Sequence, residues 1–378
     1  MSAINANGMG GGRSSATMGQ RQSPAFLPWA LFGFAWCALI VYMAIGWFTG
    51  PDFAPITPVG PDVPPRWMYI TAQIIEIISA AASLFVVYKY LIKPWRQTGS
   101  ITPDGLLMLA CMTMYVQDFW CNYFGYFCQL SPVFHSWGSW ANYVPGWLTP
   151  NQGRLPEAPL AWGLCYGSWF VLLPMIYGAK FMGWLHSKRP RMSGMELFAV
   201  STLFFTVLWF MIESIFLRTG MYVYGLSIQS LSLWPGETYQ YPIYEFVAWG
   251  ICYGLFAAAY YYKDDKGYMF IEKGIDRLKA SNGQKKALRF FAMTGLVNII
   301  FLSLWSIPMS VSTLWADPMP KSMPSYLIAG LCGPTTNYDC HTPGTPLATR
   351  STLTNRTVSA DKLPVSPTQQ AVLNRHPY

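Results

Sequence analysis

Apolar and polar positions in this chain fall into long blocks, with no residue-by-residue alternation. Seven mostly apolar blocks, at 27–49, 67–92, 105–128, 160–182, 195–217, 242–262 and 290–311, are each near the length a helix needs to cross a bilayer core. That length is about 20 residues for a core of about 30 Å. None shows the period-two pattern of a barrel strand. The blocks predict an all-α fold, a polytopic membrane bundle of seven transmembrane helices. The first block is too long for the apolar part of a signal peptide, and no small-x-small cleavage site follows Phe48, so it reads as a retained anchor. Residues 1–23 are rich in Gly, Ser, Ala, Met and Gln and read as a disordered cytoplasmic tail. The seven-helix domain then covers 24–314. Beyond it, Pro, Thr, Ser and Asn become frequent, which predicts an outer stub over 315–342 and a flexible tail over 343–378. No internal repeat is visible.

Charge gives these blocks a direction. Charged residues make up 11% of the chain, where a soluble domain carries roughly 25%. The net charge of +8 raises the question of nucleic acid until the basic residues are placed. With the N-terminus inside, seventeen fall on inner segments: Arg13 and Arg21, Lys89 to Arg96, Lys180 to Arg191, and eight between Lys263 and Arg289. Outer loops hold only Arg66, Arg154 and Arg218. Positive charge in short loops stays on the cytoplasmic side, so the N-terminus is expected inside and the C-terminus outside. The basic excess then answers to membrane lipids, and no nucleic-acid partner is expected. Outside, Cys332 and Cys340 are near enough to form a small disulfide loop, two free thiols being the alternative. The other six cysteines sit in or at the ends of helices and read as packing residues. Asn355-Arg356-Thr357 matches a glycosylation sequon.

Cofactor chemistry finds little to hold it. Of four histidines, none lies inside a block, which leaves bis-His haem, a His-rich di-iron site and a HExxH zinc site without ligands. The seventh block has no lysine between Phe290 and Val311 for a retinal Schiff base, and phosphate-loop, GxGxxG and GxSxG motifs are absent. No cofactor and no metal are expected.

The acids are more informative. Glu76, Asp118, Glu213 and Glu245 lie inside the second, third, fifth and sixth blocks. A charge at mid-membrane costs about 2.5–3.5 kcal/mol on insertion scales, so each needs a polar cavity, a partner or a proton. In the seven-helix frame all four occupy the outer half of the membrane, Glu76 and Asp118 deepest. Each has company at helical spacing: Gln73 with Glu76, Asn122 and Tyr126 with Asp118, Trp209 with Glu213, Tyr241 and Trp249 with Glu245. Acids at one level make a pocket beneath the outer loops plausible chemistry. The plainer reading is that polar residues in spans bond helices together, and Asn298 is read that way. Over the expected pocket lies an unusual outer segment, His135-Ser136-Trp137-Gly138-Ser139-Trp140 with Asn142 to Trp147 and Asn151 to Glu157. Its tryptophans and turn-formers suggest a structured lid, with interfacial anchoring as the alternative.

Over roughly 65–342 the chain resembles the avermectin spirocyclase (AveC-like) membrane proteins of actinobacteria. The resemblance is carried by Gln117-Asp118 with Asn122-Tyr123, Gly138-Ser139-Trp140, Pro145-Gly146-Trp147, Gly153-Arg154 with Pro156-Glu157, Glu213, and Pro242 with Glu245. Asp264-Asp265-Lys266-Gly267, Glu272-Lys273-Gly274 and the Cys332-Gly333 and Cys340 stub also fit. Phe119 departs from it, standing where the family pattern has proline. The resemblance implies a cofactor-free dehydrative cyclisation of a lipophilic polyketide-like hydroxy-ketone to a spiroketal, in a bacterial cytoplasmic membrane. A desolvated carboxylic acid suits such chemistry, and aromatic faces suit its cation. Asp118 or Glu76 is then the expected general acid and Glu213 or Glu245 the proton acceptor. Asn122, Tyr123, Trp140, Trp147, Trp209 and Trp249 are expected to hold the substrate. A membrane terpene or epoxide cyclase and a lipid or sterol carrier without turnover remain alternatives.

Overall fold

The computed structural model describes residues 25–332 except 59, 150–151, 155–161 and 329–330. Both expected tails, the sequon and Cys340 lie outside the described residues. Seven helical elements follow in order: α1 (Leu27–Thr49), α2 (Arg66–Thr98), α3 (Pro103–Met112), α4 (Leu172–Lys188), α5 (Gly194–Arg218), α6 (Ile243–Tyr261) and α7 (Asn282–Trp315). Five of them, α1, α2, α5, α6 and α7, are long and apolar enough to cross a membrane.

The third and fourth apolar blocks are helical but interrupted, which differs from the seven unbroken helices expected. After Met112 the third block tightens into 3-10 turns over Thr113–Asn122 and then leaves the helix altogether, so Cys128 opens a strand. The fourth begins as Trp162–Cys165, widens into a π turn at Tyr166–Phe170 and breaks at Ser168 (φ −121°, ψ −105°) before α4.

Proline explains the wide turns. Pro94, Pro174 and Pro308 each follow one, and in every case the carbonyl four residues back, that of Tyr90, Phe170 or Leu304, lies inside it. Proline cannot donate to that carbonyl and its ring crowds it, so the helix opens there. The freed carbonyl of Phe170 is taken by the Tyr253 hydroxyl at 2.9 Å.

Packing follows the small residues. α1 lies along α7, where a Cβ on Gly33 would strike the Phe291 carbonyl and one on Gly295 the Trp29 carbonyl. Close backbone approach of this kind is how membrane helices gain contact without a hydrophobic driving force. α6 packs against α4 and α5. Between the third block and α7 runs a buried polar chain: Gln117 Nε2 donates to Asn298 Oδ1 at 2.7 Å, Asn298 Nδ2 to Thr113 Oγ1 at 2.7 Å, and Ser306 to Gln117 Oε1 at 3.2 Å. Asn298 is thus the helix-bonding residue expected.

A cap closes one end. Strand β1 (Cys128–Leu130) pairs antiparallel with β2 (Tyr222–Tyr224), Cys128 facing Tyr224, and β3 (Ser232–Leu233) pairs with β4 (Tyr241–Pro242). Over 135–147 the tryptophan-rich segment is structured: Trp140 donates to the Val116 carbonyl at 2.9 Å, Trp137 stacks on Phe53, and the Ile56 amide donates to the Ser136 carbonyl at 2.9 Å, while 151 and 155–157 lie outside the described residues. Asp62 and Ser325 clasp one another, the Ser325 amide donating to Asp62 Oδ2 at 2.8 Å and the Asp62 amide to Ser325 Oγ at 2.9 Å. Cys332 is disulfide-bonded, while its expected partner lies outside the described residues.

Candidate functional site

Beneath the cap lies a cavity of about 190 Å³. α5 gives it one helical face, Trp209, Ile212, Glu213 and Phe216, at the spacing that shares a side. The 3-10 stretch gives a second: at three residues per turn Asp118 and Cys121 stand in line, and both reach the wall. Tyr166, Trp169 and Phe170 come from the broken turn, Trp249 and Trp305 from α6 and α7, and Tyr222 and Tyr224 from β2. Among the lining residues there are two acids and no Lys, Arg or His.

Each acid meets phenols. Tyr166 donates to Asp118 Oδ1 at 2.6 Å. Tyr222 and Tyr224 donate to Glu213 Oε1 at 2.6 and 2.9 Å, and Tyr241 donates to Glu213 Oε2. Burial, reinforced by the Glu213 charge, holds the Tyr222 and Tyr224 phenols well above their ordinary range, so both remain donors. Glu245 stands behind Glu213, fully buried, with its carboxyl against that of Glu213. Trp305 donates to Glu245 Oε1 at 2.8 Å, and no N–H or O–H donor meets Oε2.

The other expected residues separate. Trp209 and Trp249 line the cavity. Asn122 also reaches it, but its amide is engaged with the Cys128 backbone, accepting and donating at 2.9 Å, and so closes the turn before β1. Tyr123 donates to the Gly146 carbonyl at 2.9 Å, and Trp140 and Trp147 are buried within the tryptophan-rich segment itself; none of the three is a lining residue. Glu76 lies elsewhere: its carboxyl accepts the His135 amide at 2.7 Å and meets His135 Nδ1 at 2.6 Å. Helix α2 turns its neighbours Ile75 and Ser79, rather than Glu76, to the cavity.

Sequence reasoning missed Tyr166, Tyr222, Tyr224 and Trp305, and it set Tyr241 beside Glu245 where the structure bonds it to Glu213. Pro174 was the available signal for the first, since it predicts an opened turn four residues earlier. Two lining indoles, Trp162 and Trp209, have N–H groups without an acceptor among the described residues. Among the described residues no group of three His, Cys, Asp or Glu side chains is placed to hold a metal ion.

Apolar spanning helices around a largely aromatic cavity that carries two acids define a membrane protein with an internal site. A family model described as "Spirocyclase AveC-like" matches residues 99–327, more than half of the chain, and the protein belongs to that family. Membership supports a cyclase-type role in secondary metabolism. No curated protein and no solved structure matches the chain.

Proposed function

We propose that the protein is a cofactor-independent acid/base cyclase that closes a lipophilic polyketide-like hydroxy-ketone into a spiroketal within the membrane. The observation that carries this reading is that Asp118 and Glu213, each bonded to tyrosine, face one aromatic cavity whose lining holds no basic side chain. One substrate hydroxyl adds to the ketone to give a hemiketal. Asp118 delivers a proton to the hemiketal hydroxyl, the C–O bond breaks, and water leaves with the bonding pair. The oxocarbenium ion that remains lies among tryptophan faces, whose quadrupoles favour positive charge. A second substrate hydroxyl forms the new C–O bond and gives its proton to Glu213. One proton is given, one is taken and one water is lost, so the step balances without oxidant or reductant. Glu213 suits the role of acceptor because its phenol partners hold it in place.

We further infer the frame around this site. The broken α3 and α4 regions complete seven crossings of a bacterial cytoplasmic membrane, with the N-terminus inside, the C-terminus outside and the acids in the outer half. The distribution of Lys and Arg supports it.

Metabolite profiling of a deletion strain tests the reaction. The expected result is accumulation of a hydroxy-ketone one water heavier than the lost product. Complementation with wild type restores the product, whereas Asp118→Asn or Glu213→Gln lowers its formation by about 10²-fold or more. An unchanged profile, or full turnover by both variants, rejects the reading.

A further inference from the structure

We propose that the cavity opens sideways into the bilayer between α2 and α5, and that Trp169 is the side chain deciding which molecules pass. This concerns access and stands apart from the cyclase reading.

The wall is unevenly covered. Its deep side, Tyr166, Trp249 and Trp305, is buried, and β1 and β2 close the end nearest the cap. The large lining residues open to the outside are Trp169, 37% exposed, and Ile212, 39% exposed. Ile75 of α2 and Phe216 of α5 line the same cavity. The surfaces flanking this mouth are apolar and more than half exposed, Ile74 and Ile78 on α2, Met211 and Ile215 on α5. They are stretches of two helices long and apolar enough to span. The mouth therefore meets hydrocarbon.

The seam between the helices is closed by side chains. α2 packs chiefly on the broken turn before α4, and α5 on α6. Trp169 reaches across to α2, its indole N–H donating to the Ser79 carbonyl at 3.3 Å. That bond is long, and the Ser83 hydroxyl already donates to the same carbonyl at 2.7 Å. The indole is carried on the turn that Pro174 opens, beside the non-helical Ser168. A large ring on an irregular turn, held by one shared acceptor, can swing without breaking a helix. What it admits is an uncharged, lipophilic molecule already dissolved in the membrane; an ion would have to cross hydrocarbon to reach it.

Cys128, half-buried in the cavity wall, reports access without any need to know the substrate. The full-length protein in liposomes is treated with N-phenylmaleimide, which partitions into lipid, or with a sulfonated maleimide, which does not. Modification of the Cys128 peptide is then followed by mass spectrometry. The lipophilic reagent should label Cys128 and the sulfonated one should leave it unmodified. Trp169→Ala should speed lipophilic labelling about fivefold, the factor that one net hydrogen bond commands. Trp169→Phe, which keeps bulk but loses the bond, should fall between, and Ile212→Trp should slow labelling. Equal labelling by the sulfonated reagent would overturn the proposal. So would absence of lipophilic labelling in the Trp169 variants, or rates that neither position changes. Because no turnover is measured, a side doorway can fail while the cyclase stands, and the reverse.

Discussion

A carboxyl group inside a membrane has to be explained by what surrounds it, and the four acids here separate on that ground. Asp118, Glu213 and Glu245 gather at one cavity with phenols and an indole as partners, whereas Glu76 is taken by His135. These roles predict different outcomes. Tyr166→Phe removes the hydroxyl that positions Asp118 and should slow product formation about tenfold, the value of one hydrogen bond to a carboxyl group. Glu76→Ala should leave product formation unchanged and instead speed hydrogen exchange at the His135 amide. Equal losses in both variants would show that the cavity does not separate their roles. The expense of charge in lipid made all four acids legible in the sequence. It could not show which way a helix turns, and so could not tell Glu76 from Ile75 or Ser79. The tyrosines were illegible for another reason: in a chain this rich in aromatics nothing local distinguishes a phenol aimed at a carboxyl from one at the membrane surface.

Among the elements, α1, α2, α5, α6 and α7 follow their apolar blocks closely, because burial in lipid rewards a continuous run. The irregular third and fourth blocks show what hydropathy cannot see. They are long and mostly apolar, but Pro174 and the buried Gln117–Asn298–Thr113 chain set the backbone locally. Pro174→Ala restores an N–H facing the Phe170 carbonyl. It should regularise the helix, displace the Tyr253 hydroxyl and raise stability by up to about 3 kcal/mol, the cost of proline in a helix interior, while lowering product formation. Thermal unfolding in detergent measures the first effect, and a fall in melting temperature would contradict it. At the cap, bonds from the Ser325 amide and hydroxyl hold the Asp62 carboxyl below the usual carboxylate range. A lowered folded value means that the clasp contributes fully above the unfolded carboxylate range and is lost as the pH falls through the folded one. The difference in melting temperature between wild type and Asp62→Ala should therefore be present at neutral pH and vanish in acid. It should be small, because the carboxyl is exposed and water screens it.

For the molecule as a whole, the proposed orientation makes a simple demand. Cysteines placed at Lys279 and Ser187 should react with an impermeant reagent only from the cytoplasmic side, and cysteines at Val63 and Glu237 only from the outside. Mixed labelling at either pair would break the seven-crossing frame. The demand rests on the basic residues, since charge sorting is a property of whole loops and tolerates local irregularity. One consequence lies in where the family match begins. The acids and their tyrosines lie between residues 99 and 327, but Ile75 and Ser79, one jamb of the membrane-facing mouth, belong to a helix that precedes the matched segment. In the proposed doorway Trp169 and Ile212 fall inside the matched stretch and the facing jamb outside it, so a hybrid carrying another member's residues before 99 should keep its chemistry while one side of its entrance is exchanged.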